Sequence, residues 1–306
     1  MISAVSPVAV IGAGLIGVSW AALFSAVGDH QVRVWDPSET VRADIARRAT
    51  AMVEQLAALH DLTDRPLTIC DTLEEACAGA AWVQENAPEK LDLKRDLYRQ
   101  IEVAVGPDTV IASSTSALVW PDLAEGMNRP SRFITAHPFN PPHLMPLVEL
   151  FGADVAVIER AKAFYERLGR VPVVLQRPAP GHIAGRLSAA LWREAVALVA
   201  DGIASVEDVD KALVNGPGLR WAVVGAHMGY HLGGGDGGIQ HYLATLGPSQ
   251  ERRWASLGTP SLTPEVRAAL VAGIAEEAAG RPVDAIAAAR DTATIAILNS
   301  LRKQPT

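Results

Sequence analysis

The chain has 306 residues, a net charge of −7 and two cysteines. That length can hold two domains and a large core. The charge is modest and no basic block occurs, which argues against nucleic acid or an anionic membrane surface as a partner. The cysteines, Cys70 and Cys77, are too few for a disulfide framework. They fit a reducing, cytoplasmic location.

The N-terminal segment has the pattern of a strand, a helix and a second strand. Val8–Ile11 is an apolar run that predicts a buried strand, and an apolar helix is expected up to about Val27. Gln31–Trp35 then predicts the second strand, which ends at Asp36. Because 21 residues from Val8 to Gly28 carry no charge, a membrane span is an alternative interpretation. That alternative is disfavoured, because glycines occur near the start of the segment and a strand ending in an acid follows it.

Three glycines stand between the first strand and the helix in G-x-G-x-x-G spacing. Gly12 permits a tight turn, Gly14 lets a pyrophosphate approach the backbone, and Gly17 lets the helix pack against the sheet. Leu15 and Ile16 lie at the helix N-terminus, where free N–H groups and the helix dipole favour phosphate. This pattern predicts a dinucleotide site. The alternative is a glycine-rich turn in another doubly wound protein.

The acid after the second strand indicates which dinucleotide is bound. Asp36 lies 19 residues beyond Gly17, where its carboxylate can accept hydrogen bonds from the ribose hydroxyls. The same charge repels a 2′-phosphate. We therefore expect NAD as the cofactor in preference to NADP.

Strands continue to alternate with helices through the first half of the chain. Further strands are predicted at Leu67–Cys70, Trp82–Gln84, Val110–Ala112, Arg132–Ala136, Leu147–Leu150 and Pro172–Leu175. Helices are predicted from Ser38 to about His60, after the capping box Thr72-x-x-Glu75, from Leu91 to Val105 and from Ala153 to Leu168. This alternation predicts an α/β fold with a Rossmann-type, mostly parallel sheet that binds ligands at the carboxyl ends of its strands.

The alternation of strands and helices ends at the proline-rich segment from Gln176 to Gly181. No convincing strand follows, and the glycine run Gly233–Gly238 is expected to be a loop between helices. Helices are predicted at Ile183–Asp201, after the cap Ser205-x-x-Asp208, at Pro264–Ala278 and at Val283–Leu301. We therefore predict an NAD-binding domain at residues 1–178. An all-α domain at 179–306 is expected to serve substrate binding and homodimer formation.

Candidate catalytic residues stand where predicted strands end. Oxidation of an alcohol needs a base for the hydroxyl proton, and His137 suits this because its ordinary pKa is about 6.5. If the flanking runs pair, Glu149 comes beside His137 and fixes its tautomer. Ser116 can bond the substrate oxygen. The alternatives are a core histidine and a helix-capping serine. The remaining histidines lack compact ligand spacing, so no metal site is predicted.

Four motifs resemble those of the 3-hydroxyacyl-CoA dehydrogenase superfamily, and within it the lambda-crystallin group, which includes L-gulonate 3-dehydrogenase and L-carnitine dehydrogenase. They are GAGLIG, SSTSAL, AHPFNPPHLMPLVEL and GPGLRWAVVGAHMGYHLGGGDGGIQHYLATLGP, and the resemblance covers nearly the whole chain. It implies the catalytic pair His137 and Glu149, the substrate-binding Ser116, and cofactor contacts by Glu89, Lys94 and Asn140.

One motif departs from the family pattern. Where the family has G-F-x-x-N-R-L, this chain reads GHIAGRL over residues 181–187, so Gly185 replaces an asparagine that helps hold the substrate. Either another group replaces it, such as His182 or Arg220, or the substrate is held differently. A glycine there also makes room for a bulkier substrate. The departure leaves the identity of the substrate open more than the chemistry.

The expected activity is NAD-dependent oxidation of the 3-hydroxyl of a small free acid, similar to L-carnitine or L-gulonate. Arg220 can bind a carboxylate, and Trp221 with Tyr230 can face a quaternary ammonium, although plain packing explains the aromatic residues equally well. One alternative is a 3-hydroxyacyl-CoA dehydrogenase. Another is a non-catalytic NAD-binding or structural protein, as in the crystallins.

Overall fold

The computed structural model describes residues 7–63 and 65–302, which fall into two compact units. The first contains the described residues up to Arg186 together with Thr294–Asn299. The second contains Leu187–Ala293 and the described residues from Ser300. The predicted domain boundary, between residues 178 and 179, lies a few residues before this division, in the proline-rich segment.

The first unit is built on one eight-stranded sheet. In chain order the strands are β1 (Val8–Ile11), β2 (Val32–Trp35), β3 (Thr68–Ile69), β4 (Trp82–Glu85), β5 (Val110–Ser113), β6 (Phe133–Pro138), β7 (Leu147–Gly152) and β8 (Val171–Val174). Their spatial order is β3-β2-β1-β4-β5-β6-β7-β8, and every neighbouring pair is parallel except β6 with β7. This is the doubly wound arrangement of dinucleotide-binding domains, so the predicted fold class is confirmed.

Helices cover both faces of this sheet. They are α1 (Leu15–Ala26), α2 (Glu39–Leu56), α3 (Leu73–Cys77), α4 (Leu91–Ala104), α5 (Trp120–Ala124) and α6 (Val155–Arg167), with a 3₁₀ turn at Pro130–Arg132. In β1, Val8 and Val10 join one apolar cluster while Ala9 and Ile11 join another. Alternate residues of a strand point to opposite faces, so both faces of this central strand are buried.

Two helix starts follow the capping signals in the sequence. The Ser38 hydroxyl accepts a hydrogen bond from the Val41 N–H at the start of α2. At the start of α3, Thr72 and Glu75 form both hydrogen bonds of a capping box. These contacts satisfy backbone donors that a helix terminus leaves without partners.

Beyond β8 the described part of the chain contains helices and no strand, which confirms the predicted all-α second half. The helices are α7 (Ala184–Ala200), α8 (Val206–Asn215), α9 (Pro217–Trp221), α10 (Ala226–Gly233), α11 (Gly238–Ala255), α12 (Pro264–Ala278) and α13 (Val283–Arg302). Within the glycine run, Gly235–Gly237 form a 3₁₀ turn between α10 and α11. Throughout residues 7–63 and 65–302, no helix has the length and apolar character needed to cross a membrane.

A buried carboxylate joins the ends of β4, α4 and β5. Glu85 is fully buried and accepts hydrogen bonds from Lys94 Nζ (2.7 Å), Tyr98 Oη (2.7 Å), Ser113 Oγ (2.7 Å) and the Ala87 N–H (2.6 Å). Burial, with the adjacent charge of Glu85, raises the pKa of Tyr98 well above its ordinary value, so this phenol remains a donor. Four donors compensate the desolvation of the carboxylate.

We expect Glu85→Gln to lower the free energy of unfolding by about 3–5 kcal/mol, because Lys94 keeps a buried charge without its nearest counterion. Urea denaturation of the full chain measures this change. The control is Glu159→Gln, which removes an exposed ion pair with Lys162 (3.0 Å) and should cost less than about 1 kcal/mol. If both variants lower the free energy of unfolding by similarly small amounts, the buried Glu85–Lys94 pair does not contribute the expected stability.

Candidate active site

The carboxyl ends of four parallel strands define one edge of the sheet. Gly12 follows β1, Asn86 follows β4, Ser114 follows β5, and His137 lies near the end of β6. In doubly wound sheets, ligands bind outside this edge, at the point where the strand order reverses. The predicted cofactor turn and the predicted base therefore lie at the same edge.

The glycine turn is shaped by close backbone contacts. Gly12 has a φ of +88°, and a Cβ there would lie 2.9 Å from the Asn86 carbonyl. A Cβ at Gly17 would lie 1.8 Å from the Gly12 carbonyl oxygen. At Gly14, by contrast, a Cβ would meet nothing within 4 Å. Packing thus excludes side chains at Gly12 and Gly17, whereas the space beside Gly14 is open to a ligand.

A cavity of about 750 Å³ adjoins this turn. Asp36 lies in its wall, where Oδ2 accepts from the Ala13 N–H (2.8 Å) and Oδ1 from the Ser38 N–H (2.9 Å). The N-terminus of α1 has no capping side chain, and Leu15 there is half exposed. Its first N–H groups are therefore available to phosphate. Ile16, which follows, is partly buried. This combination of turn, helix end, acid and cavity fits NAD.

His137 and Glu149 face each other across the antiparallel pair β6 and β7. His137 Nδ1 lies 2.9 Å from Glu149 Oε2. The other carboxylate oxygen accepts from the backbone N–H groups of Ile183 (2.7 Å) and Ala184 (2.9 Å), where α7 begins. Since a carboxylate only accepts, His137 carries its proton on Nδ1, and its Nε2 lone pair is available as a base.

Glu149 is held in its ionised form. Its side chain is 1 % exposed, and burial alone would raise its pKa. The hydrogen bonds from His137, Ala184 and Ile183 outweigh burial and hold the pKa of Glu149 below its ordinary value. An ionised Glu149 beside the ring favours a positive charge on His137.

Glu89 shapes the loop that carries Ser116. Its Oε1 accepts from the Thr115 hydroxyl (2.5 Å) and from the N–H groups of Ser116 (3.0 Å), Ala117 (2.8 Å) and Leu118 (3.1 Å). Burial would raise the pKa of Glu89, but these donors, with the nearby Lys94 ammonium, lower it. Sequence reasoning missed this arrangement, because its donors are backbone groups of an irregular loop.

Lys94 and Asn140, the two other residues that the resemblance implies for the cofactor, differ in their exposure. Lys94 is 1 % exposed, and its ammonium lies 2.7 Å from Glu85 and 3.9 Å from Glu89. Asn140 follows β6 and is exposed. Their contacts with a cofactor stay predictions.

His182 lies beside the candidate base. Its Nε2 is 3.0 Å from the Thr115 carbonyl oxygen, and its ring centroid is 4.8 Å from that of His137. It is 3 % exposed, and burial lowers its pKa. At Gly185, the site of the family asparagine, a Cβ would meet nothing within 4 Å. Packing therefore does not require a glycine there.

The predicted substrate residues of the second half lie in the second unit. Arg220 and Trp221 belong to α9, and Tyr230 belongs to α10. Trp221 and Tyr230 are 46 % and 45 % exposed. The Tyr230 ring lies 5.1 Å from that of Tyr242 on α11, a neighbour that sequence reasoning missed. In the part of the chain that the structure describes, no group of three or more His, Cys, Asp or Glu residues forms a potential metal site.

The glycine turn with its cavity and the His137–Glu149 pair are the features expected of an NAD-dependent dehydrogenase. Comparison with known proteins identifies the family. The family described as "3-hydroxyacyl-CoA dehydrogenase, NAD binding domain" matches residues 7–178, and its C-terminal domain matches residues 181–260. The chain belongs to this family. It is an NAD-dependent oxidoreductase that acts on the CH–OH group of a 3-hydroxy acid.

Curated relatives show to which group of the superfamily the chain belongs. The L-carnitine dehydrogenase of Streptomyces coelicolor is 44% identical over 96% of this chain and 94% of its own length. That of Pseudomonas putida is 38% identical over 98% and 95%. A solved 5-formyl-3-hydroxy-2-methylpyridine 4-carboxylic acid 5-dehydrogenase, described as an NAD⁺-dependent dismutase, has a TM-score of 0.81 at 25% identity and covers 98% of this chain and 100% of its own. Within the superfamily, the chain falls in the carnitine dehydrogenase group.

Proposed function

We propose that the protein oxidises the 3-hydroxyl of L-carnitine to the 3-keto acid. The observation that carries the chemistry is the His137–Glu149 pair, 2.9 Å apart at the strand edge that also bears the glycine turn. The choice of L-carnitine is supported by the L-carnitine dehydrogenases that match this chain along nearly their whole length. An L-gulonate-like acid is the second candidate among free acids.

His137 is the proposed base. Its Nε2 takes the proton of the substrate hydroxyl, and Glu149 orients the ring and stabilises the resulting imidazolium. The Ser116 hydroxyl donates a hydrogen bond to the substrate oxygen. NAD, when bound, supplies the acceptor for the hydride that leaves the carbon. Loss of the proton from the oxygen and of the hydride from the carbon converts the alcohol to the ketone.

The proposed cofactor residues are those of the first unit's strand edge. Support comes from the open space at Gly14, the uncapped start of α1 and the anchored Asp36 carboxylate. The proposed set is Gly12, Gly14, Leu15, Ile16, Gly17, Asp36, Glu89, Lys94 and Asn140.

The two charged ends of L-carnitine suit residues of the second unit. Arg220 can bind its carboxylate through two parallel hydrogen bonds. Trp221 and Tyr230 can attract its quaternary ammonium through cation–π interactions worth about 0.5–2 kcal/mol. The half-exposed rings of both residues support this part of the proposal.

We also propose a cytoplasmic homodimer with an NAD-binding domain at 1–178 and a dimerising helical domain at 179–306. The family matches, which end at 178 and resume at 181, support the boundary. Large apolar side chains exposed in the second unit support the dimer, among them Leu187 (65 %), Trp192 (57 %) and Trp254 (64 %).

Sedimentation equilibrium should give twice the chain mass of 32.4 kDa, whereas the mass of a single chain would contradict the dimer.

The activity is tested by NADH formation from L-carnitine, L-gulonate and 3-hydroxyacyl-CoA thioesters at equal concentration. We expect L-carnitine to give the highest kcat/KM, and His137→Ala to lower kcat by about 100- to 10,000-fold through loss of the base. The control is Glu159→Gln, which removes only the exposed ion pair with Lys162 (3.0 Å) and should keep wild-type kcat. Exclusive use of thioesters would overturn the substrate, and no NADH from any substrate would favour a non-catalytic protein.

A further inference from the structure

His182 has no role in the chemistry just proposed, yet two parts of the candidate site meet at its side chain. Its Nε2 contacts the Thr115 carbonyl (3.0 Å), and its ring lies 4.8 Å from the His137 ring. The residue is buried and has a φ of +50°, a conformation that few non-glycine residues adopt. The backbone therefore takes an unfavourable conformation at the residue whose side chain makes both contacts.

The contact with Thr115 fixes the tautomer of His182. A carbonyl oxygen only accepts, so Nε2 donates its proton to it. The titratable groups that face the ring are His137, Glu149 and Glu89. Burial has the largest influence on His182 and lowers its pKa. A neutral His182 adds no repulsion to the imidazolium that forms on His137.

The loop bearing Ser116 is thus held at two places. Glu89 accepts its N–H groups, and His182 donates to the carbonyl of Thr115, the residue before Ser116. The two residues after His182 donate their N–H groups to Glu149. One short segment, residues 182–184, thereby contacts both the Ser116 loop and the carboxylate that orients His137.

We propose that His182 is a positioning residue that holds the Ser116 loop against the His137–Glu149 pair. It sets the separation between the Ser116 hydroxyl and the His137 base, which together must bind one substrate hydroxyl. This inference rests on the proposed function, because it assigns His182 to the site of that reaction. The positioning role requires the hydrogen bond from His182 to Thr115, and a side chain that only fills the same space would not perform it.

Two variants separate these roles. His182→Phe keeps a ring beside His137 but leaves the Thr115 carbonyl without its donor. His182→Gln loses the ring but keeps an N–H donor of similar reach, and both variants bear the same positive φ. We expect His182→Phe to raise the KM for L-carnitine at least about tenfold and His182→Gln to stay within about threefold of wild type.

Two further measurements make the result specific. The dissociation constant of NADH should stay at its wild-type value in both variants, since the glycine turn makes no described contact with His182. Hydrogen exchange of the amides at 116–118 should be faster in His182→Phe than in His182→Gln, because the loop loses one of its two anchors. These amides donate to Glu89, so their exchange reports the loop directly.

The proposal is overturned if His182→Phe keeps wild-type KM and amide exchange, or if both variants raise KM equally with weaker NADH binding. The latter result would indicate a purely structural residue. If the wild-type enzyme oxidises no substrate, the proposed function fails. The exchange comparison then still decides the positioning role, since faster exchange in His182→Phe supports it and equal exchange refutes it.

Discussion

The candidate active site depends on the three hydrogen bonds that one buried carboxylate accepts. Glu149 takes one from the His137 imidazole and two from the backbone where α7 begins, at Ile183 and Ala184. A carboxylate taken out of water is costly unless its lone pairs are satisfied, and these donors satisfy them. The same carboxylate that fixes the tautomer of His137 therefore also fixes the start of α7, the helix that follows His182. The orientation of the His137 ring and the course of the backbone into α7 thus depend on one group.

Two other carboxylates organise the strand edge in the same way. Glu85 accepts hydrogen bonds from Lys94 and Tyr98 of α4 at the ends of β4 and β5. Glu89 accepts hydrogen bonds from the N–H groups of the loop after β5. Functional side chains in doubly wound proteins lie on loops, which the sheet alone does not hold in place. Here buried acids supply the fixed points. The sheet brings the loops to one edge, and the carboxylates determine their conformation there.

Local patterns in the sequence are sufficient to predict the sheet and the contact between His137 and Glu149. The strand–glycine–helix–strand–acid order around Gly12 predicts β1, α1 and β2, and two apolar runs joined by a turn predict the contact of His137 with Glu149. Helices α9, α10 and α11 were not predicted, because glycines bound or interrupt them and Pro248 lies inside α11, so local helix propensity is low. The contacts of Glu89 and His182 were also missed. They depend on backbone groups of distant loops, which leave no periodic pattern in the sequence.

The central claim is that Glu149 holds the proton of His137 on Nδ1 and leaves Nε2 free to act as a base. Nitrogen NMR of ¹⁵N-histidine-labelled protein at neutral pH tests it most directly, with the His137 signals assigned by their loss in His137→Gln. The account predicts a protonated Nδ1 and an unprotonated Nε2 in the wild type, and loss of that preference in Glu149→Gln. A wild-type ring protonated on Nε2 instead would contradict it.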